Sequence, residues 1–223
     1  MRQQLDLIRT RESTLVINQV LRNTYFLLSL TLLFSAGLAY WSVISNAKPL
    51  GILIFIVGWF GLYFLTVSLR NSAWGILAVF AFTGFAGYSL GPMLNLYLHA
   101  FSNGGQLIGT ALGATGFIFL TLSFYVLTTR KDFSFMNGFI SIAMITLLLG
   151  IIANIFLHLP FLSLIISGAI VVVFSAYILY LTSEIIQGGE RNYIMATISL
   201  YIAIFNIFIN LLQILGIFGG NRD

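Results

Sequence analysis

The sequence contains no cysteine and very little charge. The absence of cysteine from its 223 residues excludes disulfide bonds, thiol catalysis and cysteine-ligated metals. Only 7% of the residues are charged, whereas soluble domains carry about 25%. The two histidines, His99 and His158, are not spaced like the ligands of a metal site. The chain is instead 59% hydrophobic, which predicts an integral membrane protein. No cofactor is expected.

Seven apolar runs are long enough to cross a bilayer, which takes about 20 residues in a helix. Transmembrane β-strands would be about 10 residues long and alternate in polarity, and these runs do not alternate. The predicted fold is therefore all-α, with one seven-helix transmembrane domain at residues 23–219. The predicted spans are residues 24–45, 50–69, 74–97, 106–128, 138–157, 161–182 and 194–218.

Polar tails flank this domain at residues 1–22 and 220–223. Within the first tail, STLVINQVLR at residues 13–22 has the composition of a short interfacial helix that precedes the first span. The same tail is a positive anchor that fixes insertion. A docking role for a partner protein is the alternative function of this tail.

The positive charges predict the orientation of the chain. With seven spans, eight Lys and Arg residues lie on the side of the N-terminus and two on the opposite side. Because cytoplasmic loops retain positive charge, the N-terminus is predicted in the cytoplasm and the C-terminus outside. A signal peptide cleaved near Ala39 is the alternative, although six further spans follow it. The net charge of +4 is a topology signal, and nucleic-acid binding is not expected.

Glycines at helical spacing predict close packing in the third and fourth spans. A G-x-x-x-G step lets helix backbones approach closely inside a membrane, so both spans are expected inside the bundle. The glycines are Gly84, Gly87 and Gly91 in the third span and Gly109, Gly113 and Gly116 in the fourth. Pro92 removes one backbone hydrogen bond from the third span. It is therefore a candidate hinge or a fixed kink.

The seventh span carries a polar stripe. Its members recur at steps of three and four residues, which places them on one helix face. They are Ser199, Ala203, Asn206, Asn210 and Gln213. Amides in hydrocarbon need partners, so this face is expected to avoid lipid. The amides either join neighbouring helices or line a path for ions or substrate.

One serine matches a hydrolase pattern. Ser89 lies in GYSLG, which fits G-x-S-x-G, but that motif works on a strand-to-helix elbow and here falls in a hydrophobic helix. A serine protease would need a base beside Ser89. His99 is ten residues away, about 15 Å along a helix, which leaves His158 if the fifth span lies beside the third. An intramembrane serine protease is therefore a remote alternative.

Glu184 is the only acidic residue close to a span. It lies 23 residues after Phe161, about 35 Å along a straight helix, which predicts a place in the cytoplasmic headgroup region. There it would stay ionised and pair with Arg191. At greater depth it would be a proton or cation site.

Five stretches resemble the Bax inhibitor-1 family of multi-pass membrane proteins, in particular its bacterial YccA-type branch. They occur in the family order between about residues 20 and 218. They are VLRNTYFLLSLTLLFSA, FAFTGFAGYSLGPMLNLYL, YVLTTRKDFSFM, NIFLHLP and TSEIIQGGERNYIMATISLYIAIFNIFINLLQILG. The resemblance implies a seven-helix bundle whose seventh helix is enclosed by the other six, in agreement with the polar stripe.

The resemblance also implies a place for ion handling. Family members described as calcium leaks or pH-gated channels carry an aspartate on the sixth helix and another on the seventh. The matching positions here are Leu181 and Ala203, so both acids are missing. A calcium or proton-coupled leak would have to use Glu184, one turn from Leu181, together with Asn206 and Asn210.

The YccA-type branch implies a different function. Its namesake resembles a substrate and modulator of FtsH, the ATP-dependent protease of the bacterial inner membrane. FtsH grips such proteins by a cytoplasmic N-terminal tail, and the HflK and HflC scaffold controls FtsH. Residues 1–22 are long enough to be such a handle. The expected function is thus protein interaction in membrane-protein quality control and stress response, without enzymatic activity.

Overall fold

The fold is helical throughout the described chain. The computed structural model describes the backbone of residues 2–220 and the side chains of residues 15–220. Between residues 2 and 220 it contains seven helices and no strand: α1 (Arg2–Ile44), α2 (Ile52–Leu69), α3 (Trp74–Ala100), α4 (Gly104–Thr129), α5 (Met136–Leu157), α6 (Pro160–Gln187) and α7 (Tyr193–Gly219). All seven are long and apolar enough to cross a membrane. The prediction of an all-α protein with seven transmembrane helices is confirmed.

Helix α1 begins well before the predicted first span. It is continuous from Arg2 to Ile44 and therefore includes the stretch at residues 13–22 that was expected to form a separate interfacial helix. The part that could cross a membrane is Leu15–Ile44, with 30 residues. At 1.5 Å per residue this part is about 45 Å long, more than the roughly 30 Å of a hydrocarbon core. The first span thus continues into the N-terminal tail without a loop.

Residues with left-handed backbone conformation end several helices. Arg130 caps α4 with φ 50° and donates its N–H to the carbonyl of Val126. His158 caps α5 with φ 51° and donates to the carbonyl of Asn154. Asn46, with φ 49°, follows α1. Such residues satisfy the last carbonyls of a helix and turn the chain away from the axis.

The linker between α4 and α5 contains an Asx turn. An oxygen of the Asp132 carboxylate accepts the backbone N–H of Ser134 at 2.8 Å. This hydrogen bond favours the ionised acid and holds the pKa of Asp132 below its usual range. The turn fixes the direction in which the chain enters α5.

Contacts divide the chain into two compact units. The first consists of Met1–Pro92 with Ser183–Tyr201, and the second of Met93–Thr182 with Ile202–Asp223. Helices α3, α6 and α7 contribute residues to both. The apolar windows of α7 and α3 are the most buried among the seven spans, at 56% and 50%. Enclosure of α7 by the other six helices stays a prediction.

In the first unit, the glycine face of α3 packs against α1. A Cβ atom at Gly87 would lie 2.6 Å from Ser35 Oγ, and one at Gly84 would lie 2.7 Å from the ring of Phe34. A Cβ atom at Gly91 would collide with Ser42. Only glycine permits these approaches. The prediction of close packing is correct for the third span.

The prediction of close packing is wrong for the glycines of α4. A Cβ atom at Gly109, Gly113 or Gly116 would meet nothing within 4 Å. The reason is that α4 buries a different face, since its buried residues recur at steps of three and four. Beyond Gly104 they are Leu107, Ala111, Thr115, Phe119, Ser123 and Val126. The G-x-x-x-G step of α4 therefore does not serve packing within the described chain.

Candidate functional site

A cleft with mixed polar and apolar walls lies in the second unit, between α5, α6 and α7. Its volume is about 360 Å³, and we call it the amide cleft. Both asparagines of the predicted polar stripe line it. The complete lining consists of Ile151, Asn154, Ile155, Ser163, Ile166, Ser167, Ile170, Asn206, Asn210 and Gln213. The sequence pattern thus identified the contribution of α7, whereas the residues from α5 and α6 were not predicted.

The three amides of α7 form two kinds of hydrogen bond. Gln213 donates Nε2–H to Ser163 Oγ at 2.6 Å and so joins α7 to α6. Asn206 and Asn210 donate Nδ2–H, each at 2.8 Å, to the carbonyl four residues earlier in α7. One amide therefore links two helices, while the two asparagines bond within their own helix. Each asparagine keeps an Oδ1 and a second N–H for other partners.

Glu184 is not among the lining residues of this cleft and lies in the last turn of α6. Its carbonyl accepts the N–H of Gly189 at 2.8 Å and that of Glu190 at 3.1 Å. Gly188 has φ 78°, which completes a Schellman motif. Glu184 belongs to the first unit, whereas Asn206 and Asn210 belong to the second.

The carboxylate of Glu184 is packed against the turn that follows α6. A Cβ atom at Gly189 would collide with its Oε2. Arg191, the predicted partner, donates Nε–H to the carbonyl of Gly188 at 3.1 Å. Both side chains thus help to define the end of α6.

Asn192 connects two loops of the first unit. Its Oδ1 accepts the N–H groups of Ile194 at 3.0 Å and Met195 at 3.1 Å, which makes it the N-cap of α7. Its Nδ2 donates to the carbonyl of Arg70 and to Oδ1 of Asn71, both at 2.9 Å. An asparagine directly before an apolar run is a known N-cap signal. The contact with the loop between α2 and α3 has no such signal in the sequence.

A buried hydroxyl network of the first unit was also missed by sequence reasoning. The hydroxyl of Tyr201 lies 2.6 Å from Ser35 Oγ and donates to the carbonyl of Thr83 at 3.2 Å. Because a tyrosine has one hydroxyl proton, Ser35 donates to Tyr201 in this arrangement. The network ties α7 to α1 and α3. Isolated hydroxyl residues in apolar spans give no indication of such pairing.

Pro92 does not interrupt α3, which is continuous from Trp74 to Ala100. Because proline has no N–H, the carbonyl of Tyr88 loses its helical donor. Ser42 of α1 donates Oγ–H to that carbonyl at 2.8 Å. Neighbouring helices commonly satisfy the groups freed by a membrane proline in this way. A hinge at Pro92 remains a prediction, and the contact with Ser42 favours a fixed geometry.

The chain matches one protein family along most of its length. The family profile described as Inhibitor of apoptosis-promoting Bax1 (Bax1-I) matches residues 17–220. The chain belongs to the Bax1-I family. A protein of Escherichia coli K12 named Modulator of FtsH protease YccA is 52% identical over 206 residues, which cover 92% of this chain and 93% of the relative.

Other Bax1-I relatives are also similar along most of their length. An uncharacterised protein of Pseudomonas aeruginosa is 53% identical over 205 residues, which cover 92% of each chain. A protein of Helicobacter pylori is 34% identical over 218 residues, which cover 96% of this chain and 91% of the relative. The similarity therefore includes all seven helices, and the chain is a multi-pass membrane protein of this family.

Two positions bear on the ion-leak alternative raised by the sequence. Leu181 and Ala203 occupy the positions at which the sequence resemblance placed an aspartate pair, and both are buried, with 8% and 0% of their surface exposed. Neither side chain can hold a proton or bind a cation. Ala203 is one helical turn from Asn206, so the polar lining of α7 ends before this position.

Ser89 has no catalytic setting in its own helix. It lies within α3, and its Oγ–H donates to the carbonyl of Ala86 at 2.8 Å. A nucleophilic serine needs its hydroxyl directed to a base. Back-bonding to the preceding turn is the ordinary arrangement of serine in a membrane helix.

Proposed function

We propose that this Bax1-I protein modulates the FtsH protease in a bacterial inner membrane. The observation that carries this proposal is the 52% identity, across 92% of the chain, to the Escherichia coli protein named Modulator of FtsH protease YccA. The charge count adds the orientation, with the N-terminus in the cytoplasm and the C-terminus in the periplasm. The HflK and HflC scaffold is included as a partner by resemblance.

The structure suggests how the N-terminal tail would serve as a handle. Helix α1 continues from Arg2 to Ile44, so a force on the tail acts directly on the first span. That span packs against the glycine face of α3 through Ser35 and Ser42. A protease that pulls on the tail must first separate these two helices. A firmly packed body would therefore slow extraction and occupy the protease.

The same proposal describes the protein as a binding partner without enzymatic activity. Ser89 is bonded to its own helix, and no group of three or more His, Cys, Asp or Glu residues within the described chain is placed to hold a metal ion. A leak channel would rest on Glu184, Asn206 and Asn210. The amide cleft has no carboxylate among its lining residues, so the modulator has the stronger support.

Crosslinked affinity purification from native membranes tests this proposal. The wild-type chain would be compared with a chain lacking residues 2–20 and with one in which residues 2–20 are scrambled. The scrambled tail keeps the charge that orients the protein. We expect FtsH with the wild type and its loss from both variants. FtsH that is retained by both variants would exclude the tail as the handle.

Failure of the wild-type chain to recover FtsH, at normal abundance and with intact folding, would contradict the modulator itself. Detection of HflK and HflC in the same samples tests the scaffold. Their absence from samples that contain FtsH would restrict the partnership to the protease.

A further inference from the structure

The walls of the amide cleft carry polar groups but no charge. Six of its ten lining residues carry an amide or a hydroxyl, and the other four are isoleucines. None of the ten is acidic, basic or a histidine. A cation or anion that entered would meet no opposite charge on these walls. Desolvation of an unpaired ion is unfavourable, so the lining is suited to neutral molecules.

The hydrogen-bonding capacity of the cleft exceeds what the protein itself uses. Asn206 and Asn210 each donate one N–H to their own helix. An asparagine has two N–H groups and an oxygen with two lone pairs. Among the described residues, no further hydrogen bond is formed by either side chain, although Asn210 is only 7% exposed. These free donor and acceptor groups line the cleft, where a polar molecule can bind them.

The cleft extends from the helix ends to the middle of the spans. Ser163 is three residues after the start of α6, and Gln213 is six residues before the end of α7. At the other extreme, Asn206 lies 13 residues before Gly219, about 20 Å along the axis. One turn further is the fully buried Ala203. The polar lining therefore begins near one face of the membrane and stops half-way across.

We propose that the amide cleft is a hydrated, closed-ended binding site for small uncharged solutes that carry hydrogen-bond donors and acceptors. Its volume of about 360 Å³ corresponds to roughly twelve water molecules at about 30 Å³ each. It is therefore large enough for a small amide or polyol in place of several waters. The isoleucine walls accept the carbon skeleton of such a molecule. This site is independent of the proposed action on FtsH.

The absence of native cysteine permits a direct test, because a single introduced thiol is the only one in the chain. Ser167→Cys places a thiol inside the cleft and Ser163→Cys places one near the helix ends. Ser123→Cys is the control, since Ser123 is equally buried but lies on α4 outside the cleft. Each substitution exchanges a hydroxyl for a thiol. Protein in nanodiscs exposes both faces to reagents.

Three methanethiosulfonates of similar size would be compared: a neutral hydroxyethyl, a cationic trimethylammonium-ethyl and an anionic sulfonatoethyl reagent. Rates are divided by those measured on a free thiol. At Ser167→Cys we expect the neutral reagent to be faster than either charged reagent by about tenfold or more. At Ser163→Cys the three rates should agree within about threefold, because water there solvates charge. Ser123→Cys should not react.

Two outcomes would overturn the proposal. No reaction of the neutral reagent at Ser167→Cys, in protein with wild-type thermal stability, would show that the cleft is not hydrated. A cationic reagent as fast as the neutral one would show a cleft that accepts cations, as the leak alternative requires. If Ser167→Cys fails to fold, Asn210→Cys provides a second interior position with the same expectations.

Discussion

Ser42 on α1 and Pro92 on α3 are coupled through one carbonyl group. Pro92 has no N–H for the carbonyl of Tyr88, and Ser42 Oγ–H donates to that carbonyl at 2.8 Å. The Ser42 side chain is fully buried. Ser42→Ala would leave the carbonyl without a donor inside the span. We expect this change to lower the free energy of unfolding by about 1–2 kcal/mol.

The cost should depend on Pro92. In the Pro92→Ala background, residue 92 has an N–H, so the carbonyl of Tyr88 regains its helical donor. Ser42→Ala should then cost less than about 0.5 kcal/mol, and the double-mutant cycle should give a coupling energy of about 1 kcal/mol. Reversible unfolding in mixed micelles, followed by far-UV circular dichroism, measures the four free energies.

Ser45→Ala is the matched control for this cycle. Ser45 directly follows α1, and its Oγ–H donates to the carbonyl of Ser42 in the last turn of that helix at 3.2 Å. Its effect should be the same with Pro92 and with Ala at that position. An equal cost of Ser42→Ala in both backgrounds would refute the assignment of Ser42 as the substitute donor.

Three further predictions concern stability. Gly87→Ala should destabilise the protein by about 1–3 kcal/mol because its Cβ would collide with α1, while Gly109→Ala should stay within about 0.5 kcal/mol of wild type because its surroundings are open; equal melting temperatures would contradict this. Asn192→Asp should keep the cap of α7 but lose both donated bonds, and so cost about 1 kcal/mol, less than Asn192→Ala in the same denaturation assay. Folding lowers the pKa of Asp132, so the ionised carboxylate stabilises the fold above about pH 4, and this stabilisation is lost as pH falls further. The stability difference between wild type and Asp132→Asn should therefore shrink at acid pH. A constant difference would contradict the assignment.

The number and type of helices followed from the sequence because the length of an apolar run is a local property. The start of α1 did not follow from the sequence, because hydropathy measures only where a helix leaves the lipid. A helix can continue beyond that point, as α1 does through residues 13–22. The same limit applies to the glycines. Gly87 and Gly109 have equivalent local patterns, and only the position of the partner helix separates a packed face from an open one.

The candidate site was likewise predictable only where its residues belong to one helix. Periodicity placed Asn206, Asn210 and Gln213 on one face because all three belong to a single helix. The bond from Gln213 to Ser163 depends on the register of α6 against α7, for which the sequence contains no local signal. Glu184 was expected at the end of the sixth span, and it lies in the last turn of α6; a proton or cation site there stays a prediction.

Reconstituted proteolysis tests the central claim most directly. Purified FtsH and a labelled membrane substrate would be combined in liposomes with and without an equimolar amount of this protein, and the rate of substrate loss measured. A modulator that resists extraction should slow substrate loss, and the loosened Gly87→Ala variant should slow it less than Gly109→Ala does. An unchanged rate of substrate loss, in liposomes where the protein and FtsH can be crosslinked, would contradict the account.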